Sequence, residues 1–334
     1  MNNVFRIVSF LIFCNSTLAL YAQEDLSKLF DDMDVQANRG PVIATFKSPR
    51  LVNAQTIETP HKHDLLFLVI HRFGDIAGNF GGFQTFYGLD NSTDILIGFD
   101  YGITDRWSIG TGRTKGAPNG TSTSQKQLIY VNSKYRMIQQ TGDDRTPVSV
   151  SLFGNTVVSA MNKLGQVTSD ANFSSFSNRL SFIAQAIIAR KFSDNLSLEL
   201  LPTFIRRNYV TYMDQNNLLA LGVGGRMKVS PRMAIIADYY YSFRKQASKD
   251  YFLQQKNFKF YNSLSLGLEI ETGGHVFNVC FTNATATLEN QYIPSTSTSW
   301  GKGEFRWGFS ISRAFSLGKK TGETKNSWNK QPSQ

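Results

Sequence analysis

Phe305-Arg306-Trp307-Gly308-Phe309-Ser310-Ile311-Ser312-Arg313-Ala314-Phe315-Ser316-Leu317 has a period of two. Phe305, Trp307, Phe309, Ile311, Phe315 and Leu317 fall on one face, and Arg306, Gly308, Ser310, Ser312 and Ala314 on the other. Strict alternation over this length marks a half-buried strand rather than a helix. The run is long enough to cross a bilayer at a tilt, which takes about 9–11 residues.

Working upstream, eleven more segments share the pattern. They are expected at 65–72, 95–101, 106–113, 127–137, 148–158, 179–190, 196–207, 219–229, 234–244, 261–270 and 275–283. Leu264, Leu266, Leu268 and Ile270 oppose Ser263, Ser265, Gly267 and Glu269; Leu219, Leu221, Val223 and Met227 oppose Gly222, Gly224, Arg226 and Lys228. In the first segment a continuous apolar run, Leu65 to Ile70, hides which face is which. The links alternate as well. Thr104-Asp105, Ser193-Asp194-Asn195, Ser230-Pro231-Arg232 and Thr272-Gly273-Gly274 are short and made of turn residues. The link after the fourth segment, around Gly142-Asp143-Asp144, is moderate, and the links after the first, third, fifth, seventh, ninth and eleventh are longer and rich in Ser, Thr, Asn and Gly. Short turns on one side and long loops on the other predict an all-β, transmembrane, antiparallel up-and-down β-barrel of about 12 strands.

His71-Arg72-Phe73-Gly74, Phe86-Tyr87-Gly88-Leu89-Asp90 and Gly98-Phe99-Asp100-Tyr101-Gly102-Ile103-Thr104-Asp105-Arg106, with Ala44-Thr45-Phe46-Lys47 and Glu58-Thr59-Pro60 upstream, carry a resemblance. Over roughly residues 40–317 the chain resembles a family of bacterial membrane-bound β-barrels known as a domain of unknown function. The resemblance implies an outer-membrane barrel and transfers no functional residue.

Composition agrees. The 334 residues include 26 Gly, 9 Pro and 2 Cys, with 13% aromatics and 18% charged residues, and the mean hydropathy is −0.24. A disulfide scaffold, a collagen-like fibre and a disordered polyelectrolyte are excluded. Beyond residue 22 no run reaches the about 18 apolar residues of a membrane helix. A barrel strand is half polar, so its average hides the membrane signal. A soluble β-sandwich also alternates, but twelve such strands would need a very thick core, and aromatics such as Tyr239-Tyr240-Tyr241 and Phe99/Tyr101 gather near strand ends, where membrane interfaces want them.

Four divisions are expected: a signal peptide at 1–22, with one charge at Arg6 and an apolar core Val8–Phe13; a polar leader at 23–62, periplasmic or folded into the barrel mouth; the barrel at 63–317; and a polar tail at 318–334. Loss of Cys14 with the signal leaves Cys280 as the only thiol and no internal disulfide.

Lysine and arginine outnumber acidic residues 35 to 25, a net charge of +10. The basic residues are spread through alternating strands, so nucleic acid is not an expected partner. The expected partners are the lipid bilayer of the bacterial outer membrane and the barrel-assembly machinery, with a further periplasmic partner open. Charge facing lipid costs about 2–4 kcal/mol at the midplane. Asp100, Lys134, Arg136, Arg179, Glu199, Arg207, Arg226, Lys228, Asp238, Arg244, Glu269 and Arg306 are therefore expected to line the lumen. The set reads either as an internal ladder of ion pairs or as a basic constriction selecting anions.

No cofactor or metal is expected. His61, His63, His71 and His275 show no converging ligand pattern. Gly110-Thr111-Gly112 lacks the Gly-Lys-Ser/Thr ending of a phosphate loop and reads instead as small inward positions. The function expected first is a passive, porin-like channel for small hydrophilic or anionic solutes. The alternatives are a closed structural or interaction barrel presenting its outer loops or serving a periplasmic partner, and an outer-membrane hydrolase using a Ser with His71 or His275; no enzyme activity is expected.

Overall fold

The computed structural model describes residues 40–116, 122, 124–166 and 169–318. The expected signal peptide, most of the leader and nearly all of the tail lie outside them. Residues 40–43 with Gln139–Pro147 form a small unit, joined by a Pro41–Thr141 bridge and a Val42 N–H to Gln140 carbonyl bond of 2.7 Å. The other unit is the barrel.

Twelve antiparallel strands close on themselves, each paired with its sequence neighbours and β1 with β12. They are β1 Asp64–Asp75, β2 Ser92–Thr104, β3 Trp107–Gly116, β4 Gln127–Ile138, β5 Ser149–Ser159, β6 Leu180–Lys191, β7 Leu196–Arg207, β8 Asn217–Ser230, β9 Met233–Ser242, β10 Ser263–Thr272, β11 His275–Thr282 and β12 Arg306–Ser316. The seam runs in register from Asp64↔Ser316 to Arg72↔Gly308, then shifts at a bulge before Asp75↔Arg306. Closure leaves no strand edge unpaired, as hydrocarbon requires.

The alternation sets the two faces. Ile97, Phe99, Ile109, Val131, Leu219, Leu266 and Val279 point outward and are exposed on the wall, which is where lipid lies. Their neighbours point inward and are buried. β1 shows why its apolar run concealed the faces. Leu66, Leu68 and Ile70 are buried inside, while Leu65, Phe67 and Val69 lie outside. Both sides of this strand are apolar because both meet apolar surroundings.

The inner surroundings come from the chain itself. Ala44–Pro60, for which the sequence leaves open both a periplasmic course and a fold into the barrel mouth, runs inside the barrel as a strap. Phe46, Leu51, Val52, Ala54 and Ile57 are almost wholly buried, in one cluster with inward Leu68, Ile70, Leu96, Leu128, Ile187 and Leu201. A second insert descends between β11 and β12: every residue of the short helix Glu289–Ser295 is buried. Eight strands leave a lumen that side chains can fill, and sixteen or more leave an aqueous channel. Twelve fall between, and here the strap and the insert occupy the extra space.

Inward glycines make that packing fit. A side chain at Gly112 would meet the Tyr130 ring, and one at Gly222 the Tyr240 ring. Both tyrosines are buried inside.

Candidate functional site

The strap is held chiefly through its backbone, by charged side chains of the wall. Asp238 on β9 accepts three successive N–H groups with one carboxylate oxygen: Val52 at 3.0 Å, Asn53 at 2.7 Å and Ala54 at 3.2 Å. Consecutive amides converging on an anion make a nest. Lys134 on β4 donates to the carbonyls of Pro49, Thr56 and Glu58 at 3.1, 2.8 and 3.2 Å. Arg72 on β1 donates to the Val52 carbonyl at 2.9 Å and to Asn53 Oδ1 at 3.0 Å. Asn53 Nδ2 in turn donates to Ser265 Oγ at 2.7 Å. Charge-assisted bonds of this kind are about twice as strong as neutral ones, so the wall holds the strap mainly by its amides and carbonyls, with Asn53 the one strap side chain in this set of contacts.

Both ends of the strap lie toward the short-turn rim. Lys47 pairs with Glu271 at 3.3 Å, Thr59 Oγ1 donates to the Asp105 carbonyl at 3.0 Å, and Arg136 approaches Glu58 at 3.9 Å and donates to the Asp105 carbonyl at 2.7 Å. The Asp105 carboxyl lies below the ordinary carboxylate range, first because it accepts the Lys62 backbone N–H. The strap's turn, with Arg50 bridged to Gln55, reaches inward and meets the insert. Arg50 pairs with Glu289 at 3.1 Å and donates to the Thr287 carbonyl at 3.2 Å; Gln55 also donates to Glu289, and the Tyr292 hydroxyl to the Asn53 carbonyl at 3.3 Å. Asp94 on β2 pins the insert by accepting the Thr287 N–H and hydroxyl at 3.0 and 2.7 Å.

The twelve expected lumen residues divide by level. Toward the short turns, Arg226 binds Glu269 at 2.7 Å and Glu271 at 3.1 Å, with Lys228 half-buried nearby in sequence. At mid-height Asp238 and Lys134 hold the strap, and Asp100 accepts from Asn132 at 3.2 Å. Glu199 is buried beside Leu51, where Gly224 leaves room for it, and its carboxylate makes no hydrogen bond among the described residues. Toward the long loops, Asp214 joins Arg207 at 3.1 Å to Arg244 at 2.5 Å, and Arg306 binds Asp75 at 2.5 Å. Burial alone would raise the Asp214 carboxyl; the two guanidiniums outweigh it and hold the carboxyl below its ordinary value.

Two placements differ from expectation. Arg179 sits in a 3-10 turn before β6, donating to the Ser159 and Met161 carbonyls and lying 4.2 Å from the Phe173 ring centre. Arg244 follows the end of β9, over the Phe260 ring at 3.8 Å and donating to the Pro294 carbonyl at 2.7 Å. Parity carried both onto strands, but both lie just outside them, and their carbonyl partners are the end of β5 with the residues after it and the helix of the second insert. The basic residues do not share one ring. Arg226, Arg207, Arg244 and Arg306 each sit on a carboxylate, at opposite ends of the barrel.

Sequence reasoning missed Arg50, Arg72, Asn53, Asp94, Asp214 and Glu289. Arg72 lay at the end of the run whose faces were ambiguous, Asp94 lay one residue before the start expected for the second segment, and the others lay in segments without a period. The histidines disperse: His71 stacks on outward Phe309 at 5.4 Å, His63 meets the Tyr101 hydroxyl, and His275 meets Arg313. Among the described residues no cluster of His, Cys, Asp and Glu suits a metal ion.

A family model described as a membrane bound beta barrel domain, DUF5777, matches residues 46–315. The chain belongs to this family. Its match begins within the strap, so the strap is part of the family domain. A comparison with curated proteins finds no match. Among solved structures, the chain is similar to the KdgM porin at 7% identity, covering 75% of this chain and 99% of the porin with a TM-score of 0.43. It is similar to the NanC porin at 9% identity, with 75% and 98% coverage and a TM-score of 0.43. An outer membrane channel from Pseudomonas putida F1 matches at 12% identity, with 78% and 98% coverage and a TM-score of 0.43.

Proposed function

We propose that this protein is a β-barrel of the bacterial outer membrane that is closed at rest and carries out no chemistry on a substrate. The observation that carries this reading is the Arg50–Glu289 pair at 3.1 Å, where inserts from the two ends of the barrel meet. An anion-selecting constriction needs cationic side chains facing water. Here four of the arginines proposed to line the lumen are paired with carboxylates, Arg306 with Asp75, Arg226 with Glu269, and Arg207 and Arg244 sharing Asp214, and Lys134 is engaged by strap carbonyls.

A second reading, a channel that opens when the strap withdraws, is favoured by the way the strap is held. Its grip comes from wall side chains that would line the vacated lumen, with Lys134 and Arg72 set against Asp238 and Glu199. Planar-bilayer recording of the full chain tests both readings. The native protein is expected to show no steady unitary conductance, and a stable open pore would overturn closure. Asp238→Ala, which removes the acceptor from three strap amides, is expected to give intermittent openings under the second reading and none under the first.

A further inference from the structure

We propose that the β1–β2 loop, residues 76–91, is a membrane anchor that sets its aromatic side chains into the lipid interface at the long-loop rim. Between Asp75 and Asp90 there is no charged residue. Within that stretch Phe80 and Phe83 are 80% and 83% exposed, and Phe86, Tyr87 and Leu89 are exposed too. Five large apolar side chains in ten residues form a patch that water does not favour.

The loop is built to present them. Gly82 N–H donates to the Ile76 carbonyl at 2.9 Å, Tyr87 N–H to the Gly82 carbonyl at 2.8 Å, and Gly74 N–H to the Gly88 carbonyl at 2.9 Å. Phe86 and Tyr87 both adopt left-handed backbone, φ 48° and 54°, uncommon for bulky residues. Gly88, at φ 87°, sits where a side chain would strike the Gly74 carbonyl. These residues include Phe86-Tyr87-Gly88-Leu89-Asp90, a motif that the closed lumen leaves without a role.

The occupant is lipid because the patch continues the lipid-facing wall. Ile76 and Ala77 donate to the Phe305 and Gly303 carbonyls at 2.8 and 3.1 Å. Phe305 stacks on Trp300 at 4.5 Å, and the outward pair Phe281–Trp307 lies below it at 4.3 Å. Height agrees. The outward positions of β1 from Leu65 to Phe73 span eight steps, about 27 Å at about 3.4 Å each. Tilted by about 40°, that is roughly 20 Å of a hydrocarbon-facing band that is about 25 Å tall. The loop therefore begins at the upper margin of the band, where aromatic rings partition.

Spin labelling of the full chain in phosphatidylcholine vesicles tests this, with Cys14 and Cys280 replaced by Ser. A nitroxide is placed at Phe83→Cys, and a control at Tyr212→Cys, an equally exposed aromatic position in the β7–β8 loop beside charged Asp214. Collisions with oxygen, which partitions into lipid, are compared with collisions with a water-soluble nickel chelate. The oxygen-to-nickel ratio is expected to be several-fold higher at 83 than at 212. Equal ratios at the two sites would overturn the proposal. So would shielding of position 83 from both reagents, which would mean a protein or a second copy covers the loop. If a heat-modifiable gel shift shows that the Phe83 variant is unfolded, Phe80→Cys reports on the same patch.

Discussion

The strap and the insert are both buried in the same lumen, yet they are held in opposite ways. The strap gives its backbone to the wall: three amides to Asp238, three carbonyls to Lys134, one carbonyl to Arg72. The insert gives mostly side chains, Glu289 to Arg50, Gln291 to the Gln125 carbonyl, Thr287 to Asp94 and Tyr292 to the strap, with backbone contacts at Thr287. The specificity of the first contact is therefore written in the barrel strands and that of the second in the loop. Mutations should respect that division.

The largest effect is expected at Asp238→Ala. It leaves three buried strap amides without an acceptor, at a cost of about 3–5 kcal/mol, the range for removing one partner of a buried charged contact. Urea unfolding followed by the heat-modifiable gel shift measures it, and the strap should become protease-sensitive at lower urea than the barrel. Strap side-chain changes such as Ser48→Ala should cost under about 1 kcal/mol; equal losses would erase the proposed contrast. Glu289→Ala should come next, at about 3 kcal/mol, because it strands Arg50 in the interior. Pairing it with Arg50→Met should recover much of the loss, which a double-mutant cycle would show.

The third comparison is between neighbours on one strand. Leu266→Arg puts a charge into lipid at a cost of about 2–4 kcal/mol. Ser265→Arg would be tolerated by an open, wet lumen, but Ser265 is fully buried against Asn53 and Thr282. Both variants should therefore assemble poorly, and normal membrane levels of Ser265→Arg would show that the lumen is open there. The smallest effect concerns Asp214. Its carboxyl is held below the ordinary value in the folded protein, so its stabilisation is complete above that ordinary value. The stabilisation is lost as pH falls through the folded one. Urea midpoints should drop on acidification, and Asp214→Asn should flatten that drop.

The wall was legible because its residues answer to two solvents in turn. Phe305–Leu317 reads as one strand and forms β12 over Arg306–Ser316. The pairs Gly110/Gly112 and Gly222/Gly224 read as small inward positions and make room for buried side chains. What fills the lumen was not legible. A strap recognised through its amides and carbonyls needs no particular side-chain period, so Ala44–Pro60 reads as unpatterned. Its one visible trace was the double-sided apolar run at Leu65–Ile70, which makes sense only with something apolar inside. The charges were rightly drawn away from lipid by the cost of desolvation, but their pairing depends on Asp75, Asp214 and Glu271, which lie at strand ends or in loops where parity says nothing.

The strap enters and leaves by the same rim, with Lys47 and Thr59 both near the short turns and the Arg50–Gln55 turn at its far end. It is a folded hairpin and is not threaded through the ring. Tension on the chain ahead of it, directed along the barrel axis, would therefore draw it out without unsealing β1 from β12. Such a pull loads the Lys134 and Asp238 contacts one after another rather than together. The bonds would part in sequence under a modest force, whereas the ladder of the wall, loaded in shear, would resist as a unit.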